Sequence, residues 1–176
     1  MKKTIFYILA GIFVLCNIQF LQAQSTARYT ITFTSTWNST DHGTLPGTAH
    51  WSDLVGTTHN SGISFWNLGE LASPGIENVA ELGNNTAFNS EVNTAISGGT
   101  ADQWLESPFS PFAAISSATL TNMVVSSDFP LLTLASMVAP SPDWFVGLSG
   151  YSLIDGSNNW KTNMTLDMFV FDAGTE

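Results

Sequence analysis

Acidic side chains dominate the chemistry open to this chain. Of its 176 residues, fourteen are Asp or Glu and four are Lys or Arg, a net charge of −10. Three of the acids sit where the chain holds a charge in place. Asp143 follows two prolines in Pro140-Ser141-Pro142-Asp143 and precedes the apolar run Trp144-Phe145-Val146. Asp172 ends a second apolar run in Phe171-Asp172-Ala173-Gly174-Thr175-Glu176, and Glu176 follows four residues later. The runs 131–138, 144–153 and 164–171 read as consecutive strands, which pair antiparallel by default. Running up, down and up, they place Asp143 and Asp172 at one edge, although 29 positions separate them. Carboxylates converging there repel one another, and a hard cation with oxygen ligands, such as Ca²⁺, relieves the repulsion. A structural role is the alternative: Asp143 accepts turn N–H groups and Asp172 caps a strand end, as Asp in turns ordinarily does.

Other reactive groups form weaker patterns. His42, His50 and His59 are spaced eight and nine apart, with no cysteine after Cys16 and no HxxxH spacing, which argues against zinc and for separate hydrogen-bonded roles. Ser149 in Gly147-Leu148-Ser149-Gly150 does not complete a GxSxG elbow, and all three histidines lie far from it in sequence. Glu77 and Glu81 are one helical turn apart and fit a solvated helix face better than a catalytic pair. Of six tryptophans, Trp37 and Trp144 read as core, whereas Trp104 and Trp160 have polar neighbours that would suit glycan stacking.

The elements that must carry these residues are mainly strands. Tyr29, Ile31, Phe33 and Trp37 alternate with Thr30, Thr32 and Thr34, a half-buried strand. A loop spans 38–48, and 63–68 is a short apolar run expected as a strand. Ile76, Val79 and Ala80 have helical spacing between Pro74-Gly75 and Gly83, and Phe88, Val92, Ala95 and Ile96 have it up to Gly98-Gly99. Strands return at 118–125 and 131–138, around a turn at 126–130, and in the last two runs. This is an antiparallel β-sandwich interrupted by one or two short helices.

The first 23 residues read as a secretory signal peptide: two lysines, an apolar run and a small residue at Ala23. The rival, lipid attachment at Cys16, lacks the small preceding residue, since Leu15 stands there. Cleavage leaves a domain at 24–176 without cysteine, in which Arg28 and Lys161 face fourteen acids, a net charge of −12. Nucleic acid and anionic membrane are excluded as direct partners, because both need a basic patch. The leader's form points to a bacterial secreted protein.

Five segments carry a family resemblance: ARYTITFTSTWN (27–38), WSDLVGTTHN (51–60), ASPGIENVAELG (72–83), PSPDWFVG (140–147) and the terminal FDAGTE (171–176). Together they resemble the spondin domain, the N-terminal module of extracellular F-spondins, also found in secreted bacterial proteins. The resemblance implies an antiparallel β-sandwich similar to calcium-dependent membrane-targeting sandwich modules. It implies a calcium site whose ligands fall on Asp143, Asp172 and Glu176. Glu176 stands where the family usually has Asp, and Phe171 where animal members have Trp. The family continues past the position of Glu176, so the resemblance implies either a fragment that ends there or a site beside a free C-terminal carboxylate. The expected function is non-catalytic extracellular binding or adhesion, with a matrix protein or polysaccharide as partner. A glycan-acting hydrolase using the acidic rim, or a structural domain without metal, are the alternatives.

Overall fold

The computed structural model describes residues 26–175, so the expected leader and Glu176 lie outside the described residues. Strand β1 (Thr26–Thr34) is followed by one helical turn, α1 (Ser39–His42), inside the stretch expected as loop. Asn38 causes that turn: its Oδ1 accepts the N–H groups of Thr40 and Asp41. Strands β2 (His50–Trp51) and β3 (Leu54–His59) precede helices α2 (Pro74–Leu82) and α3 (Thr86–Ser97). Strands β4 (Ala101–Ser107), β5 (Ser117–Ser126), β6 (Leu131–Ala139), β7 (Trp144–Ser152) and β8 (Phe169–Asp172) complete the chain.

Two antiparallel sheets face each other. β1 pairs with β5 in a ribbon, and the larger sheet runs β4-β3-β6-β7-β8, with β2 also on β6. The β6-β7-β8 meander is the one expected. The layers follow from side-chain alternation. Leu54, Leu134 and Leu132 pack with Leu120, Met123 and Val125 of the ribbon. Their neighbours Val55, Ala135 and Phe145 pack on the opposite face against Ile76, Val79, Phe88 and Val92 of the helices. The sandwich therefore carries a helical layer on its outer face. Each fully buried apolar side chain contributes roughly 1.5–3 kcal/mol.

The expected strand at 63–68 is absent; the segment is irregular. Phe65 and Trp66 are consecutive and both buried, which an alternating strand over one core cannot achieve. The Trp66 carbonyl instead accepts hydroxyls from Ser149 at 2.6 Å and Ser64 at 3.2 Å. The last strand is also shorter than expected, 169–172 rather than 164–171. Met164 and Met168 leave the ladder to cover the ribbon side of the core.

The two flanks of the sandwich differ. On one, Gln103 of β4 donates to the Val124 carbonyl at 2.7 Å and Ser107 to the Thr119 carbonyl at 2.9 Å, closing β5 against β4. On the other, β1 pairs with no further described strand, and a groove of about 1110 Å³ separates it from 162–170.

Candidate cation site at the strand ends

Ser141 shapes the turn that leads into β7. Its Oγ accepts the Trp144 N–H at 3.0 Å, between two prolines that restrict the backbone. Phe145 and Val146, each 2% exposed, then fix the strand from opposite layers. Trp144 is 47% exposed, contrary to its expected core position. It faces the groove beside β1, where the ribbon does not reach.

Asp143 is only 3% exposed. Its backbone carbonyl accepts the Ala173 N–H at 3.1 Å, and its Oδ2 accepts the Thr175 N–H at 3.1 Å. Asp172 lies opposite Trp144 in the β7–β8 ladder, so the meander does bring Asp172 beside the Asp143 turn. The Asp172 Oδ1 accepts the Gly174 N–H at 2.8 Å. Gly174 has φ 74, the left-handed region that glycine enters freely, and the chain curls back toward Asp143 there. Both turn-stabilising contacts proposed as the structural alternative are therefore present.

A third carboxylate arrives from a different layer. Thr175 Oγ1 donates to Glu81 Oε1 at 2.7 Å, so Thr175 links Asp143 to the last turn of α2. Spacing had placed Glu81 on a solvated face. One signal pointed the other way: a carboxylate in the last turn opposes the helix dipole and calls for a compensating partner. Glu77 does not share this contact.

The electrostatics at Asp143 are unbalanced. Among the described residues no Lys, Arg or His pairs with it, and Lys161 is held elsewhere by the Ser152 carbonyl at 2.9 Å. A buried carboxylate with one N–H partner recovers little of its lost hydration. The surrounding donors are all oxygen, the preference of Ca²⁺ or Mg²⁺ rather than zinc. Among the described residues no three His, Cys, Asp or Glu side chains gather closely enough to hold a metal ion. The histidines are dispersed: His42 bonds Asn38, His50 faces the Thr48 carbonyl, and His59 is buried at 1% exposure. Ser149 spends its hydroxyl on the Trp66 carbonyl, away from any nucleophilic role. Trp104 and Trp160 are half-buried, against Phe88 and Tyr29.

The Spondin_N family model matches residues 27–176. The chain belongs to the Spondin_N family. It is 34% identical over 160 residues to Spondin-2 of Homo sapiens, covering 88% of this chain and 47% of that protein. It is 31% identical over 163 residues to Spondin-1 of Gallus gallus, covering 88% of this chain and 20% of that protein. The chain thus spans about half or less of the relatives it matches. In this Spondin_N domain, two of the segments that carried the resemblance, PSPD and FDAGT, meet at one strand-end edge.

Proposed function

We propose that this Spondin_N domain is a secreted, non-catalytic binding module whose strand-end loops are ordered by calcium. One observation carries the reading: Asp143 is a buried carboxylate that pairs with no Lys, Arg or His among the described residues, at the junction of the β7 and β8 ends. Asp143, Asp172 and Glu176 would hold the ion, with Glu81 beside them through Thr175. A bound Ca²⁺ supplies positive charge and takes oxygen ligands at flexible geometry. The chain's own part is to pre-set the ligands. The Ser141 turn fixes Asp143, Gly174 returns the chain to it, and α2 presents Glu81. The ordered edge would face an extracellular partner, a matrix protein or a polysaccharide.

Thermal unfolding of the mature chain in EDTA and in excess CaCl₂ tests this. Binding to the native state alone adds about 2.7 kcal/mol at a hundredfold excess over Kd. The midpoint should rise with calcium, and Asp143→Asn should abolish the rise. Glu81→Gln should reduce it. An equal midpoint in both buffers, with Asp143→Asn destabilising each alike, would leave the aspartate a turn residue and end the calcium reading.

A further inference from the structure

Beside the cation site, a cleft of about 260 Å³ lies between the loop 66–72 and β8. Its floor is Trp66, whose ring packs on Phe145 and Phe171 with centroids 5.2 and 4.8 Å apart. Trp66 is 9% exposed, yet its Nε1–H is buried without an acceptor. The rim is apolar and open: Leu68 is 78% exposed and Val170 54%. Glu70 and Asp172 line the same cleft, and among the described residues no basic side chain does. β8 is the edge strand of the larger sheet, paired on one side with β7. Loop and strand are tied by the Ala72 N–H donating to the Ala173 carbonyl at 3.1 Å.

We propose that this cleft docks an extended, basic segment of a partner polypeptide. The inference rests on the binding-module reading and names the chemistry of its partner, but it needs no calcium. Three features select the occupant. An edge strand offers unpaired N–H and C=O groups, which an extended backbone satisfies. Exposed Leu68 and Val170 take an apolar side chain of that segment, and its next residue, Lys or Arg, turned to the opposite face from Val170, meets Glu70. The orphaned indole N–H sets polarity at the floor. It repels a cation and takes a backbone carbonyl, reached as the Leu68 loop yields. Charge complementarity excludes a second copy of this chain, which would bring the same net charge of −10 and, among the described residues, only Arg28 and Lys161 as basic side chains. Lys161 is already engaged with Tyr151 and Ser152.

Fluorescence anisotropy of a labelled peptide alternating Lys and Val, with a Glu–Val peptide as control, provides the test. Measured with the mature chain in EDTA, the Lys–Val peptide should bind and the Glu–Val peptide should not. Leu68→Ser, at an exposed position, and Glu70→Gln should each weaken binding about tenfold, a loss of about 1.4 kcal/mol. Trp66→Phe removes the donor with half of the indole and keeps an aromatic ring on Phe145 and Phe171, and should also weaken it. Unchanged affinity in Leu68→Ser would reduce the attraction to overall charge and overturn the proposal. So would the absence of peptide binding, or capture of a soluble polysaccharide at this cleft instead. Because EDTA is present throughout, failure here leaves the calcium reading standing, and a missing calcium shift leaves this one standing.

Discussion

His59 shows how one residue couples this fold to pH. It is buried at 1% exposure with Phe65 edge-on to its ring. Nδ1 faces the Asn60 carbonyl at 2.9 Å, an acceptor, so Nδ1 carries the proton and Nε2 accepts from Thr133 Oγ1 at 2.8 Å. Burial lowers the pKa of the ring, and the Asn60 and Ile63 carbonyls offset this only in part. The neutral ring is favoured in the folded state, so the unfolded chain binds the proton first. Stability is fully present above the ordinary histidine pKa of about 6.5 and is lost as pH falls below it. The unfolding midpoint should therefore drop between pH of about 7 and 5.5, above the carboxylate range. His59→Gln should flatten that slope; an unchanged slope would assign it to other groups. At this scale the candidate site was half legible. Asp143 and Asp172 could be read because a rigid turn and a strand end bracket them. Glu81 could not, because its partner Thr175 lies 94 positions away on a different element. Trp144 was misread because the apolar run Phe145-Val146 follows it, while the ribbon that would cover it stops short.

Helix α2 depends on a cap delivered by its neighbour. Ser73 accepts the Ile76 N–H at 3.3 Å, and Pro74 at the first position spares one donor. Glu91 of α3 then reaches across: Oε1 accepts the Gly75 N–H at 2.7 Å and Oε2 the Ser73 hydroxyl at 2.8 Å. An anion at a helix N-terminus is favoured by the unpaired N–H groups and the dipole. Glu91→Ala should cost about 1–2 kcal/mol, read by chemical denaturation. Gly75 is required by the same contact, since a Cβ there would overlap the Glu91 carboxylate and come within 2.8 Å of the Phe88 Cα. Gly75→Ala should be destabilising, and the double variant should lose less than the two losses added, because one clash is shared. Independent, additive effects would mean that Glu91 swings away without consequence. Both helices were legible from Pro and Gly punctuation and periodic apolar positions. β3 was not, because all six of its residues are buried between the helical layer and the ribbon. A strand covered on both faces loses the alternation by which strands are recognised, and Gly56, Thr57, Thr58 and His59 disguise it further. The apolar run 63–68 misled for the opposite reason: its hydrophobicity serves a loop that folds over the core edge.

Across the whole molecule, charge and the layered fold pull in different directions. The sandwich buries enough apolar surface to hold a cysteine-free domain, while fourteen acids face four basic residues along the full chain. Self-repulsion among exposed carboxylates destabilises the compact state and is screened over about 8–10 Å at physiological salt. Raising NaCl should therefore lift the unfolding midpoint gradually, with no saturation at micromolar levels. A specific ion acts differently. Calcium at the Asp143 edge should lift the midpoint at concentrations too low to screen, and then saturate. Magnesium at matched ionic strength separates the two. Mg²⁺ demands near-ideal octahedral geometry and gives up its water reluctantly, whereas Ca²⁺ takes oxygen ligands at the more flexible geometry that the proposed site would need. The expected pattern is a shared, shallow rise for NaCl and MgCl₂, and a steeper early rise for CaCl₂ that Asp143→Asn removes. Coincident curves for MgCl₂ and CaCl₂ would mean that the acidic edge feels only diffuse counter-ions. The buried aspartate would then be held by Thr175 and Ala173 alone, and the stability of the domain would follow its net charge.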